Sequence, residues 1–124
     1  ALGSYVVVHV NNKSLIPEIR EWLSAQEGIT EVHDRAAAVR LLEQPADRIG
    51  DLVVMSARDY VVGRRREYHD LSALDGTLRS HGGRYEEMVS MIISHPLNAA
   101  YRMKAAGDPR NFDIFDFTIN GTQA

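Results

Sequence analysis

A histidine standing directly before two glycines, His81-Gly82-Gly83, is the most chemically suggestive feature of this 124-residue sequence. Imidazole is the commonest protein ligand for zinc. Glycine carries no Cβ, so the backbone beside it takes conformations closed to other residues and can approach a bound ion closely. Of the other four histidines, His9 falls inside an apolar strand and reads as a core residue, while His33 ends an edge strand and reads as solvent-facing. His69 and His95 fall in loops. No two histidines have the i, i+4 spacing of a helical zinc pair, and His-Glu-x-x-His is absent. A catalytic zinc takes three protein ligands and keeps one position open. Spacing alone offers His81 and no second ligand. With no cysteine in the chain, a metal would be held by nitrogen and oxygen, and no disulfide can form. Neither a nucleophile elbow nor a phosphate-binding glycine loop is present, and Gly76, Gly82 and Gly83 do not match a dinucleotide fingerprint.

The elements that must position such a turn can be read in order. Tyr5 to Val10 is apolar at nearly every position, as in an interior strand covered on both faces. Ser14 is placed to cap a helix whose first turn accepts Pro17, with Ile16, Ile19, Trp22 and Leu23 forming its apolar stripe. Ile29 to His33 alternates as a short half-exposed strand, and Asp34 can cap a second helix over Ala36–Glu43 that must end before Pro45. Leu52 to Ser56 is a third apolar run. Strand, helix, strand, helix, strand predicts an α/β fold with a mostly parallel sheet and flanking helices. Ligands gather at the carboxyl ends of the strands in such sheets. Asp59 could then be a ligand or base and Arg64-Arg65-Arg66 an anion site, although loop charges usually face water. Glu86 to Ile93 reads as a strand, Asn98 to Ala106 as a short helix or irregular chain, and Phe112, Phe115 and Ile119 as the stripe of a closing helix.

The length suits one domain, and residues 1–124 read as a single α/β segment. A formal charge of -3 argues against nucleic acid as partner. No apolar run approaches a membrane span and no signal peptide opens the chain, so cytoplasmic placement is expected. The chain starts almost at once on a strand, without an initiator methionine, which suggests a piece of a longer protein.

Taken together, Ala1-Leu2-Gly3-Ser4 entering a strand, Gly50-Asp51-Leu52-Val53-Val54, and above all Leu78-Arg79-Ser80-His81-Gly82-Gly83 resemble the phosphonoacetate hydrolases of the alkaline phosphatase superfamily. The similarity spans essentially the whole sequence but only the C-terminal part of such chains. It implies a fragment of an alkaline-phosphatase-like domain, from an enzyme that hydrolyses the carbon–phosphorus bond of phosphonoacetate to acetate and phosphate with two zinc ions. It assigns His81 as a ligand to one zinc. The threonine nucleophile and the remaining ligands belong to earlier parts of such chains, so no catalytic residue is expected here. The missing N-terminal part is the implied partner, a homodimer stays open, and the fragment alone is expected to be inactive. A phosphodiesterase or nucleotide pyrophosphatase of the same superfamily is an alternative reading, and so is a non-catalytic α/β ligand-binding module.

Overall fold

The run that is apolar up to its last residue forms the strand that is buried throughout. This strand, β3 (Leu52–Ser56), lies in the middle of a three-stranded sheet, between β1 (Tyr5–Val8) and β2 (Ile29–Asp34). The computed structural model describes residues 3–72, 74, 75, 78 and 80–123. Ala1, Leu2, Gly76 and Arg79, named in the sequence analysis, lie outside them. The chain divides into two compact units, Ala1–Met88 and Val89–Ala124.

In the first unit β3 runs antiparallel to both neighbours, with Val8 and Asp34 each opposite Leu52. The expected mostly parallel sheet is therefore corrected. The reason lies in the second connection. Helix α1 (Ile16–Ser24) carries the chain back along the sheet, so β1 and β2 point the same way. Helix α2 (Arg35–Leu42) makes no such crossover. It ends at Glu43 in the left-handed conformation, Pro45 follows, and the chain returns to the end of the sheet that it left. The strand thus enters between β1 and β2 in the opposite sense. It is β3, not Tyr5–Val10, that is covered on both faces; β1 is a half-buried edge strand and His9 beyond it is exposed.

Successive residues of a strand face opposite sides, and here each side has its own helix. Leu52 and Val54 meet Val32, Ile16, Ile19 and Leu23 on the α1 side. Val53 meets Ala38, Ile49, Val39 and Leu42 on the α2 side. Trp22, expected in the α1 stripe, remains 62% exposed. The α1 segment opens with a 3-10 turn capped by Asn12, whose side chain accepts from the Ser14 amide at 3.1 Å, rather than by Ser14 itself. Pro17 occupies its first turn, as expected. Asp34 caps α2 by accepting from the Ala37 amide at 2.8 Å.

A buried carboxylate ties these pieces together. Asp51, one residue before β3, accepts from the Val10 amide at 2.8 Å, from Lys13 at 2.7 Å and from Arg35 at 3.2 Å. Its own amide donates to the Val8 carbonyl at 2.8 Å. The Lys13 ammonium first, and then the Val10 amide, hold the Asp51 carboxyl at a pKa of about 2, below the ordinary 3.8.

The second unit pairs helix α3 (Ala99–Ala105), capped by Asn98, with a closing helical run made of a 3-10 turn Asn111–Asp113, an α turn Ile114–Asp116 and a π turn Phe117–Gly121. Tyr101 meets the buried Phe117 edge to face at 5.3 Å, and Asp116 accepts from Tyr101, Lys104 and Asn120. The expected stripe is corrected here. Phe112, Phe115 and Ile119 are exposed, and Phe117 is the residue that packs. Glu86–Ile93 is likewise no strand. It begins in a 3-10 turn (Arg84–Glu86) and continues irregular, with Met88, Val89 and Ile92 exposed.

Leu52→Ala should cost about 2–5 kcal/mol, as for other fully buried leucines. An unchanged urea midpoint would contradict the central place of β3. Because the folded pKa of Asp51 is depressed, its contribution to stability is complete above the ordinary value of 3.8 and is lost as pH falls through about 2. Asp51→Asn should therefore flatten the acid limb of the stability curve over that window. Asp116, whose carboxyl Lys104 first and then Asn120 and Tyr101 also hold at about 2, keeps its own titration in that variant.

Candidate functional site

His81 is held by the start of β1. The Ser4 amide donates to the His81 carbonyl at 3.0 Å, and Ser4 itself is buried. On its other side the Ser4 carbonyl accepts from the Ser56 amide at 3.0 Å, so the turn sits one hydrogen bond from the end of β3. Gly82 has φ +82°, the left-handed region that favours glycine, and a β-carbon there would stand 3.0 Å from Cβ of Tyr5. A β-carbon on Gly83 would fall 2.6 Å from Cβ of Ser4. Both glycines are thus required by the close seating of the turn on residues 4 and 5. The Gly83 amide donates to the Glu86 carboxylate at 2.9 Å, closing the 3-10 turn that follows.

Beyond the glycines, Arg84 reaches back to β2. It donates to both oxygens of Glu31, at 2.8 and 3.1 Å, and to Glu87 at 2.6 Å. The paired geometry of guanidinium and carboxylate fixes direction as well as distance. His33 Nε2 lies 2.6 Å from the same Glu31 carboxylate. Arg84 first, and His33 also, lower the Glu31 pKa, while Glu31 and Glu87 raise that of Arg84. His33 is therefore a half-buried partner of Glu31 and not the solvent-facing residue expected. Arg58, just after β3, lies over the Tyr85 ring at 5.0 Å and gives the segment after the turn a second tie.

The imidazole of His81 is exposed and, unlike that of His33, has no hydrogen-bond partner among the described residues. His69 is half-buried in its loop, and His95 Nδ1 is 3.0 Å from the Ser94 hydroxyl. Asp59 is exposed in the left-handed conformation at φ 65°, and Arg65 pairs with Glu67 at 3.7 Å. Among the described residues no three histidine, aspartate or glutamate side chains gather as a metal cage. The exposed imidazole could give one nitrogen ligand from a turn tied to Ser4 on one side and, through Arg84, to Glu31 on the other. The sequence reading missed the Arg84–Glu31 pair and the seating on Ser4. No local pattern announces contacts between residues 53 positions apart.

No family model matches the sequence. Two crystal structures of phosphonoacetate hydrolase from Sinorhizobium meliloti 1021 resemble it, each with 36% sequence identity over 94% of this chain. The structure in complex with phosphonoacetate superposes with a TM-score of 0.64 and that with phosphonoformate with 0.63. The resemblance to phosphonoacetate hydrolase drawn from these sequence segments together is borne out. This chain spans about 28% of the length of the first structure and 27% of the second.

Gly82→Ala should destabilise the turn by roughly 1–2 kcal/mol, the cost of placing an L-residue in the left-handed region. Hydrogen exchange at the Ser4 amide should accelerate in that variant. Unchanged protection of Ser4 would show that the turn does not depend on this glycine.

Proposed function

We propose that residues 1–124 form one α/β segment from the C-terminal part of a larger catalytic domain, that of a zinc-dependent phosphonoacetate hydrolase. The carrying observation is the 36% identity over 94% of the chain to phosphonoacetate hydrolase. It coincides with an exposed imidazole at His81 that has no hydrogen-bond partner among the described residues, on a turn tied to Ser4. In this reading the parent hydrolyses the carbon–phosphorus bond. Oxygen from water ends on phosphorus, and the leaving carbon takes a proton to give acetate.

His81 would supply one ligand of a two-zinc centre. When bound, zinc polarises the phosphonate oxygens and lowers the pKa of the attacking group. The chain's own contribution is orientation. The His81 carbonyl is fixed by the Ser4 amide, and the segment beyond the glycines by the pairing of Arg84 with Glu31. The imidazole is thereby presented without being consumed by a neighbour. The nucleophile and the other ligands are assigned to the rest of the parent. That remainder would also cover apolar side chains left in water here, among them Met88 at 90% exposure and Ile92 at 87%. Among the described residues no helix is long and apolar enough to cross a membrane. The proposal keeps the parent in the cytoplasm, with a small phosphonate as substrate.

Phosphate release from phosphonoacetate by the full-length parent, with and without zinc, tests this directly. Zinc-dependent release that falls at least about 100-fold in His81→Ala is expected, a loss no smaller than that seen when groups supporting a metal ligand are removed. Activity on phosphate diesters with none on phosphonoacetate would discard the substrate.

A further inference from the structure

The imidazole of His81 stands against a residue that has no side chain. A β-carbon on Gly3 would lie 3.0 Å from Cε1 of His81, 3.4 Å from Nδ1 and 3.5 Å from Nε2. All three atoms belong to the edge of the ring that carries its two nitrogens. The backbone of Gly3 cannot retreat from this contact. Its carbonyl accepts from the Val62 amide at 2.8 Å, the two residues form an isolated antiparallel bridge, and the next residue, Ser4, bonds both His81 and Ser56. Gly3 therefore forms a rigid floor. The ring above it is exposed and has no hydrogen bond among the described residues to oppose a displacement. Any side chain at position 3 moves the ring and leaves the floor in place.

From this geometry we infer that Gly3 is a positioning residue for His81, setting where its ring nitrogens can meet a metal ion. The inference rests on the reading of His81 as a zinc ligand. Metal–ligand distances hold to within about 0.2 Å, so a shift of the ring by a few tenths of an ångström is enough to strain coordination. The φ of Gly3 is not in the left-handed region, so Gly3→Ala introduces no backbone strain of the kind found at Gly82. The effect of the substitution passes through the imidazole.

The test is a double-mutant cycle on the full-length parent, read as zinc affinity by competition with a chelator. The proteins are the parent, Gly3→Ala, His81→Ala and the double variant, with Gly3→Val as a larger step. Gly3→Ala should weaken zinc on the order of tenfold and Gly3→Val by up to about 100-fold, the range found when groups that orient a metal ligand are altered. Thermal melting of the metal-free proteins should be unchanged by Gly3→Ala. In the His81→Ala background Gly3→Ala should cost nothing further, since no ring remains to be displaced. An equal loss in both backgrounds would make Gly3 merely structural and overturn the inference. So would a Gly3→Val protein that binds zinc like the parent while His81→Ala binds it weakly. If His81→Ala itself leaves zinc affinity untouched, the reading of His81 falls and the inference falls with it.

Discussion

The register of β1 on β3 is the constraint from which the rest of the first unit follows. One end of the pair is pinned by a buried carboxylate. Asp51 accepts the amide that leaves β1 at Val10, while its own amide donates to Val8. The other end is pinned by Ser4, whose carbonyl accepts from Ser56 and whose amide holds the His81 carbonyl. A slip of one residue would turn every β1 side chain to the opposite face. It would also remove Gly3 and Ser4 from beneath the histidine turn. Lys13 and Arg35 reinforce the same point from the α1 and α2 sides, so the carboxylate that fixes the sheet is also where both helices attach.

The position of the strands was legible in the residues, but their direction was not. Apolar runs report burial, and Leu52–Ser56 and Tyr5–Val10 look alike in that respect. Which of them becomes central depends on whether α2 crosses the sheet or turns back, and the left-handed Glu43 before Pro45 decides for the return. Trp22 and Phe115 were misplaced for a related reason. Periodicity marks an apolar stripe without saying how much of it finds a partner. The closing run changes from 3-10 to α to π within eleven residues, so a 3.6-residue period cannot hold across it. The Glu86–Ile93 segment has a strand's composition, but a strand exists only through the ladder it joins.

His81 was legible because histidine before two glycines is a local signal. What holds it is not local. Glu31 is engaged by Arg84 and His33 together, with Arg84 arriving from far along the chain. That carboxylate is an anchor for the segment after the turn, and its engagement explains why His33 and His81, both candidates by residue type, divide into a buttress and an open nitrogen. The platform under the turn, Gly3-Ser4-Tyr5, consists of residues whose own chemistry is unremarkable. Their role is created by closeness alone, which composition does not encode.

The two connections of the sheet differ in what they allow. The excursion between β2 and β3 leaves from Asp34 and returns to its partner Leu52, so both ends are held opposite each other whatever lies between. Residues 44–48 at its far side are exposed. Extra chain inserted there would cost only about 0.6 kcal/mol for each doubling of loop length. A single residue inserted between Asp51 and Leu52 would instead separate the buried carboxylate from the strand it pins. Length is free to drift at one end of this excursion and is fixed to the residue at the other.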